Sequence, residues 1–586
     1  MIPLGWAINR EGNPVEDPRE ISEDAFRNGG GLLGIGHEGY KGFGLSVMVN
    51  ILTSVLSGGA HYDGLSEFAP YNTPERDSFA VVAVNIEYFL PFDDFVSQMD
   101  NLVQITKSCK LAPGTTEIYL PGEQGFRRRE ERRRVVPRDR WRFARRTDSG
   151  EIVTDRTRVY LEGGFQPHRL YDVVYVAQDP PLVGLGPAAV RDTISHLKYA
   201  AAPELSIPAG ALDRAIAWGV SQSGRFLRTF LYHGFNADEA ERKAFDGVMA
   251  HVAGGGRGSF NHRFAQPSRD GHPFLNKLYP TDIFPFTDVT QTDPDTDMRD
   301  GLLGGIKPAH MPKMFHTNSS YEYWGRAASL IHTTLDGARD SPLMDNVRVY
   351  SFAGGQHGPG RFPPRQTSGQ QLSNPNDYSW FLRSLLLAMN RWAIDGTPPP
   401  ASVYPRIANG DLVLPEDLAF PEIPGVSQPA VPHLAYRAVY GPEFRTRGIV
   451  TVEPPEVLSA FPILVPRVDA DGNETGGLMM PEVAVPLATY TGWNNFRPES
   501  GPMDVLSSMQ GSYIPLPITR DAADERGDPR ASIEERYTSR AEYLGLVSNA
   551  ALALVDDGYL LAGDLAPILA RAQQHWDYLM EDDTEQ

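Results

Sequence analysis

The feature that most constrains the fold is a strand, a tight turn and a helix that follow one another around residue 221. The apolar run Arg214-Ala-Ile-Ala-Trp-Gly enters the turn Gly219-Val-Ser-Gln-Ser-Gly224, and helical residues continue to Tyr232. A strand is also predicted at Leu170–Ala177 and a helix at Gly186–Ala200. Strand, helix, strand, turn and helix in this order predict an α/β fold with a doubly wound, mostly parallel sheet.

Ser221 lies at the point of this turn and is a candidate nucleophile. A serine hydroxyl reacts only where a base reaches it and backbone N–H groups receive the oxyanion, and such a turn needs small residues two positions before and after the serine. Gly219 and Ser223 occupy those positions, so the pattern is G-x-S-x-S-G in place of G-x-S-x-G. A serine that merely caps the following helix is the alternative.

The partners that a nucleophilic serine needs follow in the order serine, acid, histidine. His357 lies in a glycine-rich loop after the predicted strand Val347–Phe352, where an imidazole can take the serine proton. Glu322 falls just past another predicted strand and would orient that imidazole. Asp336 and Asp340 are reserves for the acid. A solvated histidine and a surface carboxylate are the alternatives.

Three further residues are assigned to the same site. The backbone N–H of Gln222, directly after the serine, is expected to bind the oxyanion, and the second donor stays open. His251 and Arg257, in a glycine-rich stretch after the next predicted strand, are expected to bind the substrate. A simple strand-to-loop bend is the alternative for that stretch.

Composition excludes several classes of function. The 586 residues carry a formal charge of −20, which argues against a nucleic-acid partner. The sequence contains no apolar run of membrane-spanning length and no secretory signal, so a cytoplasmic location with no membrane partner is expected. The single cysteine, Cys109, excludes an internal disulfide, and no metal site is predicted.

Changes in composition divide the chain. Residues 127–146 contain eleven arginines and only three acids, which is typical of a solvated helix or linker, with a docking surface for an acidic partner as the alternative. Residues 398–486 are proline-rich and should form irregular covering structure, whereas 533–580 should form paired helices. The predicted domains are therefore 1–136, 137–397 and 398–586.

Four motifs in order resemble the family known as the alpha/beta hydrolase domain, over about residues 140–580. They are Ala188–Asp192, Gly219–Arg225, Asn318–Arg326 and Gly527–Tyr537. The turn also resembles that of glucuronoyl esterases. The resemblance implies an α/β-hydrolase fold, a small-molecule carboxylic ester as substrate, Ser221 as nucleophile, His357 as base and no cofactor.

The first 136 residues resemble a different family, the malate/L-lactate dehydrogenases that lack a Rossmann fold. The motifs are Gly5–Pro14, His37–Leu45 and Ala112–Glu123. The resemblance implies a small α/β fragment in which His37, Lys41 and Gly42 would lie near a nicotinamide cofactor, NAD(P). The part of that family that carries its catalytic histidine has no counterpart here.

Two alternatives to ester hydrolysis therefore stay open: an NAD(P)-dependent 2-hydroxyacid oxidoreductase and a non-catalytic fusion. The resembled dehydrogenases form dimers, which leaves a homo-oligomer open as well. Only residues 136–219 precede the turn in the hydrolase-like part, so the first strands of its sheet are expected to be missing or to come from the dehydrogenase-like part.

Overall fold

The structure is a computed structural model that divides into two compact units, Met1–Val174 and Tyr175–Gln586. No described helix combines the length and apolar character that crossing a bilayer requires. The described residues are 7–8, 31–32, 135–166, 171, 173, 175, 184–200, 210–258, 282–430, 432–452, 455–498, 500 and 505–581.

The described part of the first unit consists of two antiparallel pairs. Strands β1 (Ala7–Ile8) and β2 (Gly31–Leu32) pair with each other, and β3 (Trp141–Arg146) pairs with β4 (Ile152–Leu161) from Trp141↔Leu161 to Arg146↔Ile152. The interpretation of the arginine-rich stretch as a solvated helix or linker is therefore wrong for residues 141–146.

Aromatic residues explain why this arginine-rich segment forms a strand. Trp141 and Phe143 alternate with arginines, their rings lie 5.9 Å apart edge to face, and aromatic residues favour strands. The Arg138 guanidinium lies 4.2 Å from the Trp141 ring. The period-two pattern of these aromatic residues, and not the charge of the segment, determines its structure.

The second unit contains a central sheet and several small antiparallel pairs. Its strands are β5 (Ile216–Val220), β6 (Gly247–His251), β7 (Gln291–Thr292), β8 (Arg299–Asp300), β9 (Lys313–Ser319), β10 (Val347–Phe352), β11 (Leu372–Ser373), β12 (Leu412–Val413), β13 (Tyr436–Val439), β14 (Glu456–Ala460), β15 (Val465–Pro466), β16 (Ala488–Thr491) and β17 (Ser512–Pro515). Its helices are α1 (Gly186–Tyr199), α2 (Gln222–Tyr232), α3 (Ser320–Gly325), α4 (Ser379–Asp395), α5 (Phe444–Arg447), α6 (Pro481–Ala484), α7 (Arg520–Arg526), α8 (Ile533–Arg536), α9 (Arg540–Asp556) and α10 (Leu565–Glu581).

The central sheet has the order β10-β9-β6-β5, and all its neighbours are parallel. Successive buried residues of these strands point to opposite faces, as the period of two requires. Helix α2 packs on one face and α4 on the other, so both faces are covered. The face under α2 buries Val248, Met314 and Val349, and the face under α4 buries Met249, Phe315 and Tyr350.

Among the described residues, β5 forms one end of this sheet. Trp218 and Val220 on β5 are 40% and 44% exposed. The strand predicted at Leu170–Ala177 lies largely outside the described residues, and the three described positions within it are not in a strand.

The C-terminal half of this unit contains short elements first and two long helices at its end. Between residues 398 and 486 the described helices α5 and α6 have four residues each. The helices α9 and α10 pack against each other, in agreement with the paired helices predicted for 533–580. The strands β11, β17 and β16 form a three-stranded antiparallel sheet.

His575 on α10 is a fully buried histidine. Its Nε2 lies 2.9 Å from the Tyr513 hydroxyl, and burial lowers the pKa of the imidazole to about 3. An imidazole whose pKa is depressed in the folded state binds protons mainly after unfolding. This histidine therefore stabilises the fold above pH 6.5, and its contribution is lost as the pH falls from 6.5 to about 3.

We expect His575→Phe to reduce the pH dependence of stability. Between pH 6.5 and 4.5 the free energy of unfolding should fall less steeply than in the wild type, by about 1.4 kcal/mol per pH unit. Urea unfolding at a series of pH values measures this slope. Tyr513→Phe keeps the buried imidazole and should keep the wild-type slope. Equal slopes for wild type and His575→Phe would show that the histidine is not buried as a neutral ring.

Candidate active site

Ser221 occupies a sharp bend between β5 and α2. Its backbone angles, φ 55° and ψ −114°, lie in a region that residues other than glycine rarely adopt. Its N–H donates to the carbonyl oxygen of His251 at 2.8 Å, which continues the β5–β6 ladder by one residue. Backbone strain of this kind persists only where the surroundings enforce it, and it is concentrated at functional sites.

Two glycines and a serine make the bend possible. A Cβ added at Gly219 would overlap the carbonyl group of Ser223, and one at Gly224 would lie 2.9 Å from the carbonyl oxygen of His251. The Ser223 hydroxyl lies 2.9 Å from the N–H and 2.8 Å from the carbonyl oxygen of Val220. Gly224 therefore allows the close approach, and Ser223 stabilises the turn through its hydroxyl. This accounts for the pattern G-x-S-x-S-G.

Glu322 is held by the start of its own helix. It is the third residue of α3, and its Oε2 accepts hydrogen bonds from the Ser319 N–H at 3.0 Å and the Ser319 hydroxyl at 2.5 Å. This is a capping box, and its sequence signature Ser-x-x-Glu was a readable signal for the helix start. The carboxyl group is completely buried.

His357 contacts the other oxygen of Glu322. The distance from His357 Nδ1 to Glu322 Oε1 is 2.5 Å, and the His357 side chain is 12% exposed. Because a carboxylate only accepts hydrogen bonds, this contact assigns the proton of a neutral imidazole to Nδ1 and its lone pair to Nε2. The reserve acids lie elsewhere: Asp336 accepts from Thr334 and Ala338, and Asp340 accepts from the N–H groups of residues 407 and 408.

The loop from residue 353 to His357 is fixed by hydrogen bonds to its backbone. The Tyr378 hydroxyl donates to the His357 carbonyl oxygen at 2.7 Å and lies 3.0 Å from that of Gln356. Further bonds to the loop are Ala353 N–H to Leu478 O, Gly354 N–H to Glu474 Oε2, Asn374 Nδ2 to Gly354 O and Tyr321 N–H to Gly355 O. The imidazole is therefore presented on a rigid loop.

The parallel sheet brings these segments to a common edge. Ser221 follows β5, Glu322 lies in the helix after β9, and His357 follows β10, so all three lie beyond the carboxyl ends of their strands. His251, the last residue of β6, lies between them in strand order. Burial lowers its pKa to about 4, against the opposing effect of the Glu322 charge, so its ring is neutral at pH 7.

The two residues expected to bind substrate make protein contacts. His251 is 2% exposed, and its Nδ1 lies 3.0 Å from the Thr317 hydroxyl. Arg257 is 6% exposed, donates to the carbonyl oxygen of Phe284 at 3.0 Å and lies 3.8 Å from the Tyr232 ring. Their substrate role stays a prediction. Gln222, the predicted oxyanion residue, is exposed and begins α2.

Comparison with known proteins assigns a family to most of the chain. Residues 151–570, well over half of the 586, match the family described as "Alpha/beta hydrolase domain". The chain belongs to this alpha/beta hydrolase domain family. The resemblance drawn from the motifs around Ser221 and Glu322 is thereby confirmed.

Residues 1–139 match the malate/L-lactate dehydrogenase family, which confirms the second resemblance. A malate dehydrogenase from Pyrococcus horikoshii is 37% identical over 139 residues, and an L-sulfolactate dehydrogenase from Methanocaldococcus jannaschii is 32% identical over 136. Each match covers 22% of this chain and 36% of the relative. The solved structure of the Pyrococcus horikoshii enzyme is 33% identical over the same shares of the two chains, with a TM-score of 0.15.

The predicted cofactor residues of the N-terminal segment, His37, Lys41 and Gly42, lie outside the described residues, so nicotinamide binding stays a prediction. Across the described ranges, no three histidine, cysteine or acidic side chains are grouped so that they could hold a metal ion.

We expect Gly219→Ala to destabilise the hydrolase domain by about 1–3 kcal/mol, because the new methyl group would overlap the Ser223 backbone and force the bend apart. Urea unfolding followed by fluorescence measures the loss. Gly305→Ala is the matched control, since no atom lies within 4 Å of a Cβ added there, and it should change stability by less than about 0.5 kcal/mol. Equal stability of the two variants would contradict the close packing of the bend.

Proposed function

We propose that this hydrolase domain is a serine esterase, in which Ser221 attacks a carboxylic ester, His357 is the general base and Glu322 orients the imidazole. The proposal includes an α/β-hydrolase fold for the domain. The observation that carries it is the combination of a strained serine at a strand-to-helix bend with His357 paired to the buried Glu322 at the same edge of the sheet.

In the first half of the reaction the Ser221 Oγ attacks the carbonyl carbon of the ester. His357 Nε2 accepts the hydroxyl proton as the bond forms. The tetrahedral intermediate then expels the alkoxide, which takes that proton from His357 and leaves as an alcohol. Ser221 is left as an acyl ester.

In the second half a water molecule attacks the acyl group, and His357 Nε2 accepts its proton. Collapse of the second tetrahedral intermediate breaks the bond to Ser221, which recovers its proton from His357, and the carboxylic acid is released. Glu322 keeps its charge throughout and stabilises the imidazolium that forms in both halves. The hydrogen bond at Nδ1 keeps Nε2 directed away from Glu322.

The N-terminus of α2 supports the assignment of Gln222 to the oxyanion. The first N–H groups of a helix have no partner within the helix and carry partial positive charge. The Gln222 N–H is the first of them after the serine. It is therefore suited to donate a hydrogen bond to the carbonyl oxygen of a substrate bound to Ser221, where negative charge develops during the reaction.

We expect Ser221→Ala to abolish both covalent labelling by a fluorophosphonate probe and hydrolysis of a short-chain nitrophenyl ester. Removal of the nucleophile leaves no atom to form the acyl or phosphonyl bond. Mass spectrometry of the labelled wild type should locate the adduct on the peptide that contains Ser221.

The matched control for this experiment is Ser223→Ala, which removes a hydroxyl two residues away that bonds only within the turn. The adduct on Ser221 should persist in this variant. Equal labelling of wild type and Ser221→Ala would refute the esterase proposal. Loss of labelling in Ser223→Ala but not in Ser221→Ala would identify Ser223 as the nucleophile.

A further inference from the structure

Glu474 is a buried acid that the proposed reaction does not use. It is 5% exposed and lies in the covering segment between β15 and α6. None of the described lysines, arginines or histidines forms an ion pair with it. Burying a carboxyl group without a cationic partner is costly, and such groups are retained where their hydrogen bonds are needed.

Both hydrogen bonds of Glu474 reach the segments that carry the His357–Glu322 pair. Its Oε1 accepts from the hydroxyl of Ser320, two residues before Glu322. Its Oε2 accepts from the N–H of Gly354 at 3.0 Å, three residues before His357. One carboxyl group thus connects the start of α3 to the loop after β10.

The backbone on both sides of Glu474 is anchored. The Asn473 side chain donates to the Ala488 carbonyl oxygen at 3.1 Å and accepts from the Tyr490 N–H at 2.8 Å, both on β16. On the other side, the Leu478 N–H donates to the Ser351 carbonyl oxygen at 2.7 Å. The carboxyl group is therefore a fixed point and not a mobile side chain that follows its partners.

We propose that Glu474 is a positioning residue of the esterase site: by binding Ser320 and Gly354 together, it sets the separation between Glu322 and His357. This inference rests on the proposed function of that pair. A displacement of about 1 Å in a catalytic group lowers the rate as much as hundredfold. A residue that holds the two supporting segments together, as Glu474 does, should therefore affect the rate of turnover.

Because the Glu474 carboxyl group is buried, an uncharged side chain of similar shape should be tolerated at this position. Burial raises the pKa of Glu474 to about 7, although the bonds from Ser320 and Gly354 act in the opposite direction. Tyr323 on α3 is a titratable group close enough to be influenced by the Glu474 charge. A glutamine keeps an oxygen for the Gly354 N–H, and its amide can donate to the Ser320 hydroxyl. Leucine keeps the volume and removes both bonds.

Kinetics of nitrophenyl ester hydrolysis by the full chain give the first test. We expect Glu474→Leu to lower kcat about 10- to 100-fold with little change in KM, and Glu474→Gln to restore most of kcat. Asp293→Leu is the control for general destabilisation. Asp293 is also buried, but it lies between β7 and β8 and binds Arg437 on β13. This variant should leave the kcat of the folded protein unchanged.

A second readout does not depend on Ser221 being the nucleophile. The short Glu322–His357 hydrogen bond should give a far-downfield proton resonance for His357 Nδ1–H, which Glu322→Gln should remove and Ser221→Ala should keep. Loss of this resonance in Glu474→Leu, with retention in Glu474→Gln and Asp293→Leu, supports the positioning role even if Ser221→Ala stays active and the esterase proposal fails.

Two results would overturn the inference. One is a Glu474→Leu protein that keeps both wild-type kcat and the downfield resonance. The other is an equal loss in Asp293→Leu, which would make the effect a general loss of stability.

Discussion

The site depends above all on how one buried carboxylate divides its two oxygens. The Oε2 of Glu322 accepts hydrogen bonds from Ser319, the residue that caps its own helix, and Oε1 contacts His357. The first interaction fixes the carboxylate without a cation, so its negative charge remains available to the imidazole. A salt bridge at the same place would have competed for that charge. The capping box therefore makes a completely buried acid usable as the partner of a histidine.

The parallel sheet supplies the rest of the geometry. Its strands bring a serine, an acid and a histidine, which are spread over the stretch from residue 221 to residue 357, to one edge, and helices α2 and α4 pack on its two faces. The strain at Ser221 is tolerated because Gly219 and Gly224 let α2 approach β5 and β6 closely. The close contacts of Gly219 and Gly224 thus both pack α2 against the sheet and hold the bend at Ser221.

Sequence patterns predicted those parts of the protein whose signals are local. The bend at Ser221, the helix after residue 186 and the pairing of Glu322 with His357 all follow from short patterns of glycines, apolar residues and chain order. The prediction of a solvated helix or linker is wrong at 141–146, because the charge of this segment masks the alternation of Trp141 and Phe143 with arginines. Glu474 could not have been found, since it becomes informative only when Ser320 and Gly354 are seen to converge on it, more than 100 residues away in the chain.

The bonds that fix the histidine loop also constrain how the molecule can be assembled during synthesis. The loop's partners include Glu474 and Gly511, which come 120 and 155 residues after the residues they bind. The four sheet strands and Glu322 have all been synthesised once the ribosome has passed Phe352, yet the loop that carries His357 still lacks these two later partners. The order of synthesis therefore separates the sheet from its site: the loop after β10 can complete its hydrogen bonds only when the covering segment and residue 511 have been added.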